Sequence, residues 1–184
     1  MNYTTNYDSP LGGITLASDG TALTGLWFDG QKYFAATLAD EIFDNPDLPV
    51  FVETRHWLDL YFAGKRPEFT PPLAPQGTLF RQTIWGILLT IPYGKTMTYG
   101  EIAQRLVETF HETSLQPTHM SPQAVGNAVG HNPISIIIPC HRVVGADGSL
   151  TGYAGGLERK AWLLRLEGYA ITVTSGLRKI SSVL

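Results

Sequence analysis

Ile134-Ser135-Ile136-Ile137-Ile138-Pro139-Cys140-His141-Arg142-Val143-Val144 is the stretch on which the reading of this chain turns. The run from Ile134 to Ile138 is apolar in the way a buried strand is apolar. It ends at a proline, then at the chain's one cysteine, then at His-Arg. A thiol at the end of a buried strand, flanked by an imidazole, is held in place and has a base close by. The thiolate is the nucleophile, and a free cysteine with a pKa of about 8.5 is mostly protonated at neutral pH unless a base or a positive charge lowers that value. Histidine is the side chain best suited to take such a proton. The plain alternative is a buried structural cysteine, which the proline before it and His-Arg after it argue against. Neighbours along an extended segment point to opposite sides, so His141 would reach Cys140 through a turn or a bridging water. Spacing alone therefore gives a candidate activated thiol and no reaction type.

The 184 residues suit one domain or two small ones, and 43% hydrophobic against 16% charged residues is the balance of a globular chain with material for a core. No signal peptide and no membrane-spanning run is evident, and a single cysteine excludes an internal disulfide framework. A cytoplasmic location is expected, with no cofactor and no metal. Net charge is −3, unevenly divided: residues 1–75 carry four Lys/Arg against ten Asp/Glu, the remainder nine against six. A nucleic-acid partner would therefore bind the second half, with modest affinity and shallow salt dependence.

Working outward, the N-terminal residues read as three short strands, Asn2 to Asp8, Gly13 to Ser18 and Thr21 to Phe28, with Asp19-Gly20 as a hairpin signal. A short helix is expected around Lys32 to Ala39, a polar loop at Asp44 to Pro49, and an amphipathic helix from Glu53 to Ala63 through Trp57, Leu58, Tyr61 and Phe62. Pro67, Pro71, Pro72 and Pro75 make the segment from Gly64 to Gly77 a semi-rigid connection. The expectation is an α/β (α+β) chain: a small antiparallel-sheet domain with a Pro-rich linker over residues 1–76, and a mainly helical domain over residues 77–184. In the second, Thr78 caps a helix to Thr90 that buries Phe80, Ile84, Ile87 and Leu88. Thr98 and Glu101 form a capping box for Tyr99 to Leu106, and residues 107–120 are a polar loop. Ser121-Pro122 starts a helix of small residues to Gly130. Leu157 to Leu166 is a helix with Trp162, Leu163 and Leu166 inward and Glu158, Arg159 and Lys160 outward. Residues 169–184 add a strand before a basic tail.

Asn132-Pro133, the isoleucine run, Pro139 to Val144, Thr151-Gly152-Tyr153-Ala154-Gly155-Gly156 and Leu166-Glu167-Gly168 follow one another in the order and spacing of the O6-alkylguanine-DNA alkyltransferases, also called methylated-DNA–protein-cysteine methyltransferases. The chain resembles that family from Phe80 to Gly168; its first seventy-odd residues are only loosely similar to the family's variable N-terminal domain. The family sometimes holds zinc there through cysteines and histidines, and with no cysteine before Cys140 no such site is expected.

The resemblance implies single-turnover repair of O6-alkylated guanine, and possible action on O4-methylthymine, with the alkyl group moved irreversibly onto the protein's own cysteine. It implies Cys140 as acceptor, His141 as base through a water, Glu167 as the group that orients the histidine, Asn132 as a hinge, and Tyr99 as the residue that helps protonate the leaving base. The backbones of Val143 and Ala154 would read the flipped base, with Tyr153 and Gly155 beside it. A helix-turn-helix would enter the minor groove through Gln123, Ala124, Gly126 and Asn127, with Arg142 also on the DNA; small side chains suit a groove about 6 Å wide. The expected partner is double-stranded DNA carrying O6-alkylguanine, met by a monomer with no membrane association. Two other readings stand beside this one: a Cys-His hydrolase, which would need an oxyanion hole and would turn over, and an alkyltransferase-like DNA-binding module, which would lack the cysteine.

Gln123 stands where the family commonly has an arginine that fills the hole left by the flipped base. Glutamine carries no charge and stacks poorly, so Gln123→Arg is expected to tighten binding to lesion-bearing duplex in a fluorescence-anisotropy titration. Unchanged affinity would count against the finger role.

Overall fold

The computed structural model describes residues 1–38, 41–111, 121–174 and 177–182. The chain divides into two compact units, residues 1–76 with 133–137, and residues 77–132 with 138–184.

The first unit is a sheet of β1 (Asn2–Ser9), β2 (Gly12–Ser18), β3 (Leu23–Phe28) and β4 (Ile42–Asp44) in the order β3-β2-β1-β4. The three strands read from the sequence pair antiparallel. The third starts at Leu23 rather than Thr21, because the Asp19 carboxylate accepts the N–H groups of both Thr21 and Ala22 at 2.8 Å and keeps them in the turn. β4 runs parallel to β1, so the sheet is not wholly antiparallel. Its three residues are all exposed and carry no alternation that a pattern could reveal. In place of a helix near Lys32 the chain makes turns over 32–37, where Tyr33 and Ala35 take left-handed φ values of 61° and 53° that no right-handed helix tolerates; Ala39 lies outside the described residues. Helix α1 (Pro49–Phe62) begins four residues before the expected Glu53, with Pro49 in its first turn. It buries Phe51, Trp57, Leu58 and Tyr61.

β3 would be left with an open edge, and two later segments close it. Leu23 donates to Pro72 O and accepts from Ala74 N, both at 2.8 Å, while Leu26 donates to Pro133 O and accepts from Ser135 N, both at 2.9 Å. The proline-rich segment is thus docked on the sheet where it passes β3. The isoleucine run is buried as expected, but it is not a strand. Only Ile134 bridges to Leu26, and residues 135–137 turn, with Ile136 at φ 68°. A β-branched residue in the left-handed region is strained and persists only where its surroundings hold it. The apolar pattern reports burial, and burial does not require extension.

The second unit contains α2 (Leu79–Leu89), β5 (Met97–Thr98), α3 (Tyr99–His111), α4 (Pro122–Gly130), a 3-10 turn at Cys140–Arg142, β6 (Val143–Val144), α5 (Leu157–Leu166), β7 (Tyr169–Thr174) and β8 (Leu177–Ser182). The chain as a whole is mixed α/β. The helix starts follow from local chemistry. Thr78 accepts from Arg81 N, Ser121 from Ala124 N, and Thr98 and Glu101 satisfy one another's N–H groups at 3.2 and 2.7 Å. α3 continues past Leu106 to His111, so the expected loop is helical in its first part; residues 112–120 lie outside the described residues. α2, α3 and α4 pack on one another. This is the helix pair expected of a helix-turn-helix, with its connection outside the described residues. The C-terminal strand is one half of the β7–β8 hairpin, and the basic residues Arg178 and Lys179 lie in its second strand.

Trp85 is buried, and its Nε1 donates to the Ala128 carbonyl of α4 at 2.9 Å, which pins that helix to α2. Trp85→Phe removes the donor and leaves a buried carbonyl, so unfolding free energy in denaturant titration is expected to fall by about 2 kcal/mol.

Candidate active site

The cysteine lies at the first position of the 3-10 turn, which swings His141 and Arg142 inward in succession. Cys140 is 4% exposed and His141 fully buried. Asn132 Nδ2 donates both to the Ile138 carbonyl at 2.8 Å and to Cys140 Sγ at 3.1 Å. One amide therefore closes the neck of the 133–137 excursion and holds the sulfur. His141 Nε2 lies 2.8 Å from Glu167 Oε1. Glu167 also accepts Arg142 Nε at 2.9 Å, the second guanidinium nitrogen at 3.0 Å and Gly94 N at 3.1 Å. An ionised carboxylate only accepts, so Nε2 carries the hydrogen and Nδ1 is the basic nitrogen of the neutral ring.

The electrostatics follow from burial and these partners. Burial alone would push Glu167 up, but the facing His141 and Arg142 outweigh it and hold the carboxyl below the usual range. Burial pulls His141 below its ordinary 6.5; the Glu167 carboxylate opposes this, while the charges of Arg142 and Lys160 add to it. The ring is neutral at pH 7 and able to accept a proton. Burial pushes the Cys140 thiol up, with the Asn132 bond and the Lys160 charge pulling the other way. The resting sulfur is therefore a thiol. Desolvation costs the anion more than its neighbours return, so the sulfur is a candidate for activation by its imidazole neighbour and not a standing thiolate.

The family-implied residues divide into groups. Cys140, His141, Glu167 and Asn132 meet. Tyr99 donates to Thr151 O at 3.5 Å, and burial pushes its phenol up. It lines a cleft of about 580 Å³ with Pro122, Gln123, Gly126, Asn127, Thr151 and Gly152. Cys140 is not among the lining residues. Ala124 is exposed on the same helix, while Val125, Ala128 and Val129 form its buried side. Tyr153 and Ala154 are half-buried and Gly155 is buried on the following loop. Arg142 is a correction: it was expected on DNA, but its guanidinium is turned inward onto Glu167 and the Ile91 carbonyl, the latter at 2.7 Å. The carboxylate it meets is itself buried, and removing the guanidinium would leave that charge uncompensated. The backbone of Val143 is already engaged, its N–H on Cys140 O and its carbonyl on Lys160.

Lys160 is the residue that sequence reasoning missed, placed outward and found fully buried. Its Nζ donates to the carbonyls of Val143, Thr151 and Gly152 at 2.6, 2.7 and 3.2 Å. Burial pulls it down to about 8, so it stays charged at neutral pH. The signal was present: Leu157, Lys160, Ala161 and Leu164 share one helical face. Thr151 and Gly152 belong to the glycine-rich loop that carries the resemblance, but no site role was expected of either.

The domain "6-O-methylguanine DNA methyltransferase, DNA binding domain" matches residues 79–169, and "6-O-methylguanine DNA methyltransferase, ribonuclease-like domain" matches residues 2–75. The chain belongs to this family. Similar curated relatives are the methylated-DNA–protein-cysteine methyltransferases of Mycobacterium tuberculosis, 46% identical over 87% of this chain and 88% of that one, and of Haemophilus influenzae, 43% identical over 90% and 86%. The crystal structure of the Mycobacterium tuberculosis OGT in complex with DNA superposes with a TM-score of 0.76 at 44% identity, over 90% of this chain and 92% of that one. Among the described residues no helix is long and apolar enough to cross a membrane, and no group of three His, Cys, Asp or Glu side chains is placed to hold a metal.

Lys160 holds three carbonyls and lowers the thiol's pKa through its charge. Lys160→Met is expected to cost about 1–3 kcal/mol of unfolding free energy and to move iodoacetamide labelling of Cys140 to higher pH. Labelling whose pH dependence matched the parent would show that the ammonium does not act on the sulfur.

Proposed function

We propose that this chain repairs DNA as a methylated-DNA–protein-cysteine methyltransferase, moving a methyl or larger alkyl group from O6-alkylguanine in duplex DNA onto Cys140 in one irreversible turnover. The observation that carries the reading is the sulfur fixed by Asn132 at 3.1 Å, next along the chain to a neutral histidine whose far nitrogen is held by Glu167 at 2.8 Å. Nucleophile, base and orienter are then one buried unit.

The damaged base leaves the stack, at a cost of a few kcal/mol that is smaller for a poorly paired lesion, and enters the cleft beside Tyr99. Gln123 on α4 takes up part of the space it vacates, with Ala124, Gly126 and Asn127 against the groove. His141 Nδ1 accepts the thiol proton through a water. The sulfur attacks the alkyl carbon in line as the carbon–O6 bond breaks, and the Tyr99 hydroxyl protonates the departing guanine. The proton held by His141 then returns through water to the Tyr99 phenolate, so that net one proton passes from the thiol to guanine and the alkyl group ends on sulfur. Displacement at saturated carbon forms no tetrahedral oxyanion, so no oxyanion hole is required. Thioethers are not hydrolysed under these conditions, which makes the event single-turnover. The backbone of Ala154, with Tyr153 and Gly155, borders the base, and O4-methylthymine presents a similar alkyl ether. A thiol of this kind needs a reducing compartment, and the protein acts as a cytoplasmic monomer.

Incubation with duplex DNA bearing O6-methylguanine, followed by mass spectrometry, is expected to show one methyl per chain on the Cys140 peptide. Cys140→Ala abolishes transfer and keeps DNA binding; repeated turnover would instead mark a hydrolase. The pH profile follows from the histidine. With its folded value below 6.5, transfer is flat from neutral pH upward and falls only on the acid side of that value as the ring protonates. A rate still climbing about tenfold per pH unit above neutral would mean that the sulfur ionises without the imidazole.

A further inference from the structure

The hairpin of β7 and β8 starts at Tyr169, the last residue of the DNA-binding-domain match, so nearly all of it lies beyond that domain. It nevertheless touches both structures that frame the reaction. At its base, the Tyr169 hydroxyl donates to the Gly94 carbonyl at 3.1 Å, and the Gly94 N–H donates to Glu167 Oε2 at 3.1 Å. Gly94 has φ 69°, a left-handed turn that glycine takes without steric cost. The Tyr169 hydroxyl is thus two bonds removed from the carboxylate that orients His141. Farther out, the outer edge of β8 pairs with the turn that leads into the cleft wall. Leu150 N donates to Arg178 O at 2.8 Å and Ile180 N donates to Gly148 O at 3.1 Å, immediately before Thr151 and Gly152. Lys179 Nζ meets Asp147 Oδ2 at 2.8 Å and Arg178 pairs with Glu158 of α5. Ile171 and Ile180 pack on Val144, Leu150, Ala161 and Leu164.

We infer that the C-terminal β-hairpin is a positioning element for alkyl transfer: its base, through Tyr169 and Gly94, holds the Glu167–His141 pair, and its second strand holds the Thr151–Gly152 wall of the base-binding cleft. The inference rests on the roles proposed for Glu167 and His141. It separates two effects that a merely structural hairpin would not separate. Loss at the base slows transfer within bound DNA, and loss along β8 weakens recognition of the extruded base.

The test uses the full chain and two variants that leave the Ile171 and Ile180 contacts in place. For Tyr169→Phe, rapid-quench transfer from saturating O6-methylguanine duplex is expected to slow about fivefold, the factor that one ordinary hydrogen bond is worth. The Kd for the same duplex, measured in the Cys140→Ala background, stays at the parent value. For the double variant Arg178→Ala/Lys179→Ala, the Kd for lesion-bearing duplex rises about threefold, within the range of two exposed ion pairs, while binding of undamaged duplex is unchanged. A Tyr169→Phe chain that transfers at the parent rate overturns the inference, as does one in which rate and affinity fall together with melting temperature. An equal loss on damaged and undamaged duplex by the double variant would show that the two cations act directly on phosphates. Parent protein that fails to transfer methyl would overturn the proposed function itself, a result distinct from either.

Discussion

A carboxylate buried among an imidazole, a guanidinium and a peptide N–H sets the arrangement of the second unit's centre. Glu167 has both oxygens occupied, by His141, Arg142 and Gly94. Breaking such a cluster by removing one member leaves an uncompensated charge out of water, which costs several kcal/mol. The cost fixes three separate pieces of chain relative to one another: the turn at Gly94, the 3-10 turn after Cys140 and the end of α5. It also fixes the histidine's tautomer, and with it the nitrogen that can take a proton.

The same burial that organises the site restrains it. A desolvated thiol holds its proton, and the site offers compensation in parts: the Asn132 amide on the sulfur, the Lys160 ammonium, and a neutral histidine. Together they do not outweigh the burial, and in the free protein the sulfur keeps its proton. For a protein that spends one cysteine per event, a thiol at rest is protected against oxidation and stray alkylation, since both act on the thiolate.

Linkage connects the site to stability as well. Glu167 titrates below its unfolded value, so its contribution is present above that value and is lost as pH falls through the folded one. His141 is also depressed, and its unfolded form takes up a proton first as the pH drops below 6.5. Acid therefore destabilises the fold through the same two groups that acid disables in the reaction.

Much of this was legible in the residues. Cys140-His141 marked a candidate activated thiol, while Asn132 and Glu167 entered only through the family resemblance; Thr78, Thr98-Glu101 and Ser121-Pro122 marked their helices, because caps are satisfied by atoms only a few residues away. What the pattern could not carry was decided at long range. The isoleucine run reads as a strand because apolar composition signals burial, yet it turns at Ile136, since its single bridge is to Leu26, more than a hundred residues earlier. Arg142 was expected on DNA and Lys160 on the outer face of its helix, and each is buried because the fold brings carboxylate or carbonyl oxygens to meet it. The sequence alone determined which groups can react and where helices begin. Only the tertiary structure decided which charges leave water, because that depends on partners supplied from distant parts of the chain.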